Sequence, residues 1–173
     1  ENKQVVSAPS AEKGYKQSQC TPLFFNAYDD RNAGAVIHTH SISAVLVTMF
    51  TKGDVWKTTH QEMIKGLRVG STDKSYRYYD EIVVPIIDNT PEEEDPKESM
   101  RLAMEKYPKA NAVLVRRHGI YVWGPTWQKA KSQAECYDYL LELSVNLYQL
   151  GLGELIDAVP QTDLDTSDRI TGA

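Results

Sequence analysis

The run Ala33-Gly34-Ala35-Val36-Ile37-His38-Thr39-His40 joins a short apolar stretch to two histidines. An apolar stretch of this length between turn-forming and polar residues predicts a buried strand, here over 33–37. Because side chains two positions apart in a strand point to the same face, His38 and His40 can reach one ion. His118 ends a second predicted strand and precedes Gly119. Three imidazoles that leave a fourth position open are typical of catalytic zinc sites, and the sequence predicts such a site.

Strands and helices are predicted to alternate along the chain from this run onwards, which favours an α/β layered domain. Asn89-Thr90-Pro91-Glu92-Glu93 combines a capping residue, a proline and acids, which is typical of a helix start. Pro85 cannot donate to a neighbouring strand, so its apolar run is predicted to be a short or edge strand. The predicted strands are 33–37, 82–87, 112–115 and 120–123, and the predicted helices are 41–50, 60–67, about 90–107 and 126–150.

The chain is predicted to form one main domain between two polar ends. Residues 1–17 are predicted to be a loop or arm, residues 18–156 the catalytic domain, and residues 157–173 a polar tail. The sequence begins at Glu1 rather than at Met, and we expect that upstream residues are missing from it.

Composition narrows the class of function. The net charge of −5 disfavours a general nucleic-acid binder, which would carry a basic stripe. The longest apolar run, Ala44 to Phe50, is far shorter than the roughly 20 residues that cross a bilayer. Two cysteines, Cys20 and Cys136, do not form a disulfide framework, so a reduced, cytoplasmic protein is expected.

Two further residues are candidates for chemistry, each with a simpler interpretation. Glu62, on the short predicted helix, could be an acid–base group or a fourth ligand, or an exposed carboxylate paired with Lys65. Cys20 could be a reactive thiolate, although a small buried side chain is the commoner case. His60 is predicted to be a capping or surface residue, and Cys136 a core residue on the long helix.

Phosphate-binding residues are harder to predict from the sequence. Arg116 and Arg117 flank His118 and could form a phosphate clamp or an ion pair between subunits. In a strand they would point to opposite faces, so at most one would face the metal site. Lys65, Ser41 and Ser43 are further candidates, and either serine could also cap the helix over 41–50.

Taken together, several strings resemble the class II aldolase-like family, from about Ser18 to Gly151. The run over 33–40 resembles the metal-binding strand of that family, and Arg117-His118-Gly119 with the following strand resembles a second part of the site. Other strings resemble a dehydratase group within the family: 18–24, 60–66, 84–93, 113–124 and 135–140.

The resemblance implies a three-layer α/β/α domain with a central, mainly antiparallel sheet. It implies one Zn²⁺ per subunit held by His38, His40 and His118, with Glu62 as the catalytic acid–base. It also implies that Cys20 and Gln19 lie near a sugar phosphate substrate. Members of the family are usually tetramers, so a homo-oligomer is expected. One departure is that residues 1–17 do not match the glycine- and serine-rich phosphate segment of the family.

Three functions remain open at this stage. The first is zinc-dependent dehydration of a ketose 1-phosphate, which the resemblance around Gln61-Glu62-Met63 favours. The second keeps the same site but cleaves or epimerises another sugar phosphate. The third is an interaction protein with a structural metal, because some members of this fold act as adaptors.

Overall fold

The computed structural model describes residues 5, 7–91 and 96–160. Over these residues the chain forms five strands and four α-helices, with three short 3-10 turns at Ala11–Lys13, Glu62–Gly66 and Gly153–Leu155. In chain order the elements are α1 (Thr21–Arg31), β1 (Ala35–Thr39), α2 (Ile42–Phe50), β2 (Val55–Thr58), β3 (Ile82–Ile87), α3 (Lys97–Lys106), β4 (Ala112–Val115), β5 (Gly119–Gly124) and α4 (Trp127–Gln149).

The five strands form one mixed sheet in the order β1-β5-β4-β3-β2. Three of the four pairings are antiparallel, and only β3 and β4 pair in parallel. The prediction of a mainly antiparallel sheet is therefore confirmed. As a consequence, β1, β3 and β4 all run in the same direction, and their carboxyl ends lie at the same end of the sheet. His40, Asn89 and the turn 116–118 follow these three ends.

Two separate cores lie on the two faces of the sheet, which confirms the predicted three-layer arrangement. Strand β4 shows the alternation that creates them, because Ala112 and Leu114 face one core while Val113 and Val115 face the other. The first core lies under α2 and α4 and contains Trp56, Val84, Val122, Tyr137 and Leu141. The second lies under α1 and α3 and contains Leu23, Ala27, Met100, Met104 and Trp123.

Two predicted helices begin with a side-chain cap, and of the two serines considered for the first helix Ser41 is the cap. The Ser41 hydroxyl accepts a hydrogen bond from the Ala44 N–H at the start of α2, and Thr126 accepts one from Lys129 at the start of α4. The predicted start over 89–93 is wrong in part, because Thr90 and Pro91 are not helical and α3 begins at Lys97. Residues 92–95 lie outside the described residues.

The run with Pro85 forms a short strand of six residues, but the alternative prediction of an edge strand is wrong. Strand β3 lies between β2 and β4. Proline is tolerated there because the ladder to β4 includes only Ile86 and Ile87, while the Ile86 N–H donates to Asp54 on the opposite side. The missing N–H of Pro85 therefore falls outside both sets of hydrogen bonds.

Helix α1 and strand β2 have no counterpart in the sequence predictions. Within the described ranges, no helix is both long and apolar enough to cross a membrane. The polar tail predicted from Asp157 has no regular structure over 157–160, and its remainder lies outside the described residues. The domain limits stay a prediction.

Candidate metal centre

The three histidines meet at the end of the sheet where the carboxyl ends of β1 and β4 lie. His38 lies in β1, His40 follows it, and His118 lies in the turn between β4 and β5. One nitrogen from each ring lies within 4.8 Å of the others. The Nε2 atoms of His40 and His118 are 3.0 Å apart. The structure thus brings together the three residues that the sequence singled out, and their role as ligands stays a prediction.

His38 is held by its neighbours in the sheet. It faces Tyr121 across the β1–β5 pair, and the two rings stack with centroids 4.0 Å apart. Its Nδ1 lies 3.1 Å from the carbonyl oxygen of Ile120. A carbonyl can only accept, so the tautomer that satisfies this contact carries its proton on Nδ1 and leaves the Nε2 lone pair for a metal.

His118 is held by a tight turn and by a side chain. Its N–H donates to the Val115 carbonyl over 3.1 Å, and its Nδ1 lies 3.0 Å from Oδ1 of Asn89. Arg117, inside the same turn, has a φ of 57°, which is the left-handed region that ordinary side chains avoid. The turn therefore fixes the backbone of His118, and Asn89 orients its ring.

Gly119 allows the two histidine-bearing segments to approach closely. A Cβ at this position would overlap the Thr39 carbonyl oxygen and lie 3.1 Å from the Cα of His40. Only glycine lets β5 pass this close to the end of β1. The corner after His40 is held as well, because the Ser41 hydroxyl donates to Asp138 of α4 over 2.5 Å.

The donor set fits a divalent transition metal such as zinc. Neutral imidazoles are ligands that zinc prefers, and two nitrogens bound to a tetrahedral zinc ion lie about 3.3 Å apart. The 3.0 Å between the Nε2 atoms of His40 and His118 is close to that separation. His40 is exposed while His38 and His118 are half-buried, so one side of the cluster is open to solvent. An ion held here would keep a position for a small ligand.

The two arginines of the turn have different roles. Arg116 donates to the carbonyls of Thr48 and Gly53 over 3.0 Å and pairs with Asp88 over 3.2 Å, so it holds the loop after α2 against the end of β3. It lies between the two strands, as predicted, so the rule that neighbouring strand residues point to opposite faces does not apply to it. Arg117 is exposed, and its backbone N–H donates to Thr48. Of the two, Arg117 is the one left for an anion.

Glu62 lies outside the histidine cluster as the side chains are placed. It opens the 3-10 turn Glu62–Gly66 and forms an ion pair with Lys65, three residues later. Its side chain is 74% exposed, so an ordinary change of rotamer can redirect its carboxylate. This pairing matches the simpler of the two interpretations of Glu62, and its catalytic role stays a prediction.

The remaining candidates lie in different surroundings. Gln19 is exposed, and Cys20 is buried in the second core, so that their proximity to substrate stays a prediction. Cys136 is a core residue as predicted, and burial raises the pKa of its thiol. His60 does not cap the following turn, whose first flanking residue is Gln61. Instead it adopts a φ of 53°, with its Nδ1 3.1 Å from the Thr59 hydroxyl.

Three residues of the centre escaped the sequence reasoning: Asn89, Gly119 as a spacer, and Tyr121. The sequence around Asn89 predicts a helix start. The parallel pairing of β3 with β4, which brings Asn89 to His118, cannot be recognised from the neighbouring residues alone. Tyr121 alternates with core residues of β5 and could have been paired with His38 only once the β1–β5 register was known.

Comparison with known proteins identifies the family of this chain. The chain matches the class II aldolase and adducin N-terminal domain family over residues 1–145. It belongs to this family.

Curated relatives narrow the likeness further. The chain is 58% identical to a methylthioribulose-1-phosphate dehydratase of Osmerus mordax over 92% of this chain and 66% of that protein. It is 57% identical to the human protein of the same name, over 87% of this chain and 62% of the relative. A probable methylthioribulose-1-phosphate dehydratase of Dictyostelium discoideum is 58% identical over 88% and 66%. The chain thus spans slightly less than two thirds of the length of these relatives.

Solved structures share the fold at low sequence identity. L-fuculose 1-phosphate aldolase matches with a TM-score of 0.58 and 19% identity, over 84% of this chain and 58% of that chain. YgbL from Klebsiella pneumoniae, described as a putative aldolase, epimerase or decarboxylase, matches with a TM-score of 0.53 and 20% identity, over 76% and 58%. These likenesses show the class II aldolase fold.

Proposed function

We propose that the protein dehydrates 5-methylthioribulose 1-phosphate to 5-methylthio-2,3-dioxopentyl phosphate and water, a step of L-methionine salvage. The observation that carries this proposal is the convergence of His38, His40 and His118, whose ring nitrogens lie within 4.8 Å of one another. The named relatives support the choice of reaction, since three of them at 57–58% identity carry the same dehydratase name.

We propose Zn²⁺ as the ion, with the three histidines as its protein ligands. When bound, the ion supplies Lewis-acid chemistry, which polarises the substrate carbonyl at C2 and makes the neighbouring C3–H more acidic. The outward contacts of His38 and His118, to the Ile120 carbonyl and to Asn89, keep both rings in the tautomer that presents Nε2.

Glu62 is the proposed acid–base residue. Dehydration removes one proton from C3 and expels the C4 hydroxyl, which needs a second proton in order to leave as water. Glu62 gives that proton to the leaving hydroxyl, and the resulting enol then becomes the diketone. The base at C3 is either the carboxylate of Glu62 or the thiolate of Cys20. In this role Glu62 leaves its ion pair with Lys65 by a change of rotamer.

The substrate phosphate needs a cation at the end of the sheet that carries the histidines. We propose Arg117 for this role, because Arg116 already binds two carbonyls and Asp88. Arg117 precedes a proposed metal ligand, and its exposed side chain reaches solvent on that side of the fold. A guanidinium suits a phosphate because it can donate two parallel hydrogen bonds.

The assembly proposed with this function is a homotetramer in the cytoplasm. Several large apolar side chains are exposed on the single chain, among them Ile42 at 77%, Trp127 at 64% and Met49 at 53%. Apolar side chains in such number favour contacts with further subunits. Both cysteines are free thiols, which suits a reducing compartment. Sedimentation equilibrium tests the tetramer, with an expected mass four times the 19.5 kDa of the chain.

The deciding experiment for the reaction is the Glu62→Gln substitution. Diketone formation should fall at least about a hundredfold, while the zinc content of the purified protein stays at that of the parent. Glu81→Gln is the matched control, because Glu81 is also an exposed carboxylate paired with a lysine, Lys57, and no role in the reaction is proposed for it. Near-parent activity in Glu62→Gln would remove this residue from the mechanism.

Product analysis separates dehydration from the other reactions open to this family. Dehydration gives one diketone phosphate and water, whereas cleavage between carbons gives two fragments and epimerisation gives an isomer of equal mass. Zinc bound in stoichiometric amount without turnover of the phosphate substrate would instead indicate an interaction protein.

A further inference from the structure

We propose that Asn89 is the positioning residue of the metal centre, fixing the tautomer and the direction of the His118 ring. This inference rests on the metal ion of the proposed function, and not on the reaction. Asn89 follows strand β3, whereas the three histidines belong to the ends of β1 and β4. The residue therefore adds a third strand end to the centre.

The contact itself defines which atoms face each other. The Nδ1 of His118 lies 3.0 Å from Oδ1 of Asn89, a normal hydrogen-bond distance. The Nε2 of the same ring points to His40. If Nε2 is to offer its lone pair to an ion, the proton of the neutral ring must lie on Nδ1, and the Asn89 atom that faces it must be the accepting oxygen. With its oxygen facing Nδ1, as placed here, the Asn89 amide favours the tautomer that can bind metal.

The position of Asn89 is fixed by the residues just before it. The Arg116 N–H donates to the Ile87 carbonyl over 2.9 Å, and the Arg116 guanidinium pairs with Asp88 over 3.2 Å. Both contacts come from the turn that carries His118. The loop that presents Asn89 and the turn that presents the ring are therefore tied together, and the contact does not depend on a free-moving surface loop.

Asn89 also differs from the partner of His38 in a way that makes its role measurable. His38 uses the backbone carbonyl of Ile120, which no side-chain substitution removes. At His118 the acceptor is a side chain, and substitution removes it without changing a ligand. Outer partners of metal-bound histidines contribute about 10- to 100-fold to affinity. Because Asn89 is exposed and water can partly replace it, we expect the lower end, about tenfold.

The test measures zinc affinity directly, by competition with a chromogenic chelator on the full chain prepared free of metal. Asn89→Ala should bind zinc about tenfold more weakly than the parent. Asn89→Asp keeps an acceptor of the same length and should stay within about threefold of the parent or bind more tightly. Asn146→Ala is the control, since Asn146 is an exposed asparagine on α4, and its affinity should equal that of the parent.

A second measurement distinguishes positioning from a general structural effect. In the metal-free protein, ¹⁵N chemical shifts of the His118 ring should report a proton on Nδ1, and Asn89→Ala should shift the population towards the Nε2 tautomer. Circular dichroism and the melting temperature of the metal-free variants should match the parent. An Asn89→Ala protein that binds zinc within twofold of the parent, or an Asn89→Asp protein as weak as Asn89→Ala, would overturn the proposal.

The same samples separate this inference from the proposed reaction. If the parent binds zinc but forms no diketone, the reaction assignment fails, and the comparison of affinities among the variants still decides the role of Asn89. If the parent forms the diketone and Asn89→Ala binds zinc as tightly as the parent, the role of Asn89 fails and the reaction assignment stands.

Discussion

The two ends of the sheet both carry clusters of polar side chains, but the clusters are built in opposite ways. At the end away from the histidines, Gln133 donates to the Trp123 carbonyl over 2.7 Å and accepts from the Arg68 N–H over 3.0 Å. Asn111 donates to the Arg68 carbonyl over 2.7 Å and to Gln133 over 3.2 Å. Both amides are buried, and each donor meets an acceptor.

At the histidine end, like groups converge instead. The Nε2 atoms of His40 and His118 face each other, and the outer nitrogens of His38 and His118 are turned towards carbonyl oxygens. Two lone pairs that face each other gain little unless a proton or a cation lies between them. The difference teaches that the amide cluster satisfies its hydrogen bonds within the fold, whereas the histidine cluster has the arrangement expected of the proposed metal site.

The largest expected effect on zinc affinity comes from removing one histidine of the cluster. His118→Ala should weaken zinc binding by about two to three orders of magnitude, as expected when one of three ligands is lost from a site worth about 10–16 kcal/mol. The melting temperature of the metal-free protein should change little, because the ring is only half-buried. Chelator competition measures the first quantity and calorimetry the second. His60→Ala, the control, should leave the affinity unchanged.

The opposite result is expected at the amide cluster. Gln133→Leu leaves the Trp123 carbonyl and the Arg68 N–H without their side-chain partner in a buried place, and should cost about 3 kcal/mol of unfolding free energy. Zinc affinity should stay at the parent value, because Gln133 lies at the far end of the sheet. Urea titration measures the free energy. A Gln133→Leu protein of unchanged stability would show that water satisfies these groups.

Two glycines, one near each end of β1, allow a matched pair of substitutions. A Cβ at Gly34 would overlap the Pro125 carbonyl oxygen, and one at Gly119 would overlap that of Thr39. Both Gly34→Ala and Gly119→Ala should therefore lower the unfolding free energy by about 1–3 kcal/mol. Only Gly119→Ala should also weaken zinc binding, because it pushes His118 away from His40. Equal zinc affinities for the two variants would contradict the role of Gly119 as a spacer.

The smallest effect on stability is expected from a substitution of Arg117, in the turn between β4 and β5. Arg117 has a φ of 57°, which glycine adopts without strain. Arg117→Gly should leave the unfolding free energy within about 1 kcal/mol of the parent, since relief of strain offsets the added freedom of the unfolded chain. The Michaelis constant for the phosphate substrate should rise if Arg117 binds its phosphate. Equal constants in Arg117→Gly and the parent would exclude that contact.

Much of the fold was predictable because its strongest signals are local. The apolar run before His38, the caps at Ser41 and Thr126, and the helical spacing along α4 each depend on neighbouring residues. Helix α1 was missed because its apolar and polar residues follow no clear period, although Pro22 near its start was a usable signal. Strand β2 is four residues long and carries Lys57 on its exposed side, too short for alternation to be convincing.

The site was predictable as a set of residues but not as a geometry. The convergence of His38 with His118 followed from their places at strand ends. The contact of Asn89 with His118 depends on the parallel pairing of β3 and β4, which only the folded sheet reveals. The same reason explains the mistaken edge position of β3, since strand order is a property of the whole sheet. The pairing of Glu62 with Lys65 was one of two interpretations of the sequence, because residues three apart on a helical turn are neighbours, but the sequence alone does not choose between them.

Each of the two cores contains one buried tryptophan, which gives the molecule two built-in optical probes. Trp56 lies under α4 with its indole N–H donating to the Ser144 hydroxyl over 3.2 Å, and Trp123 lies on the opposite face of the sheet, 2% exposed. Trp127 is 64% exposed, so we expect its emission to be that of a solvated indole in the native protein as well. Replacing Trp127 together with either buried indole by phenylalanine leaves one fluorophore per core. Red shifts of their emission during denaturation then tell whether the two sides of the sheet melt in a single step or in sequence.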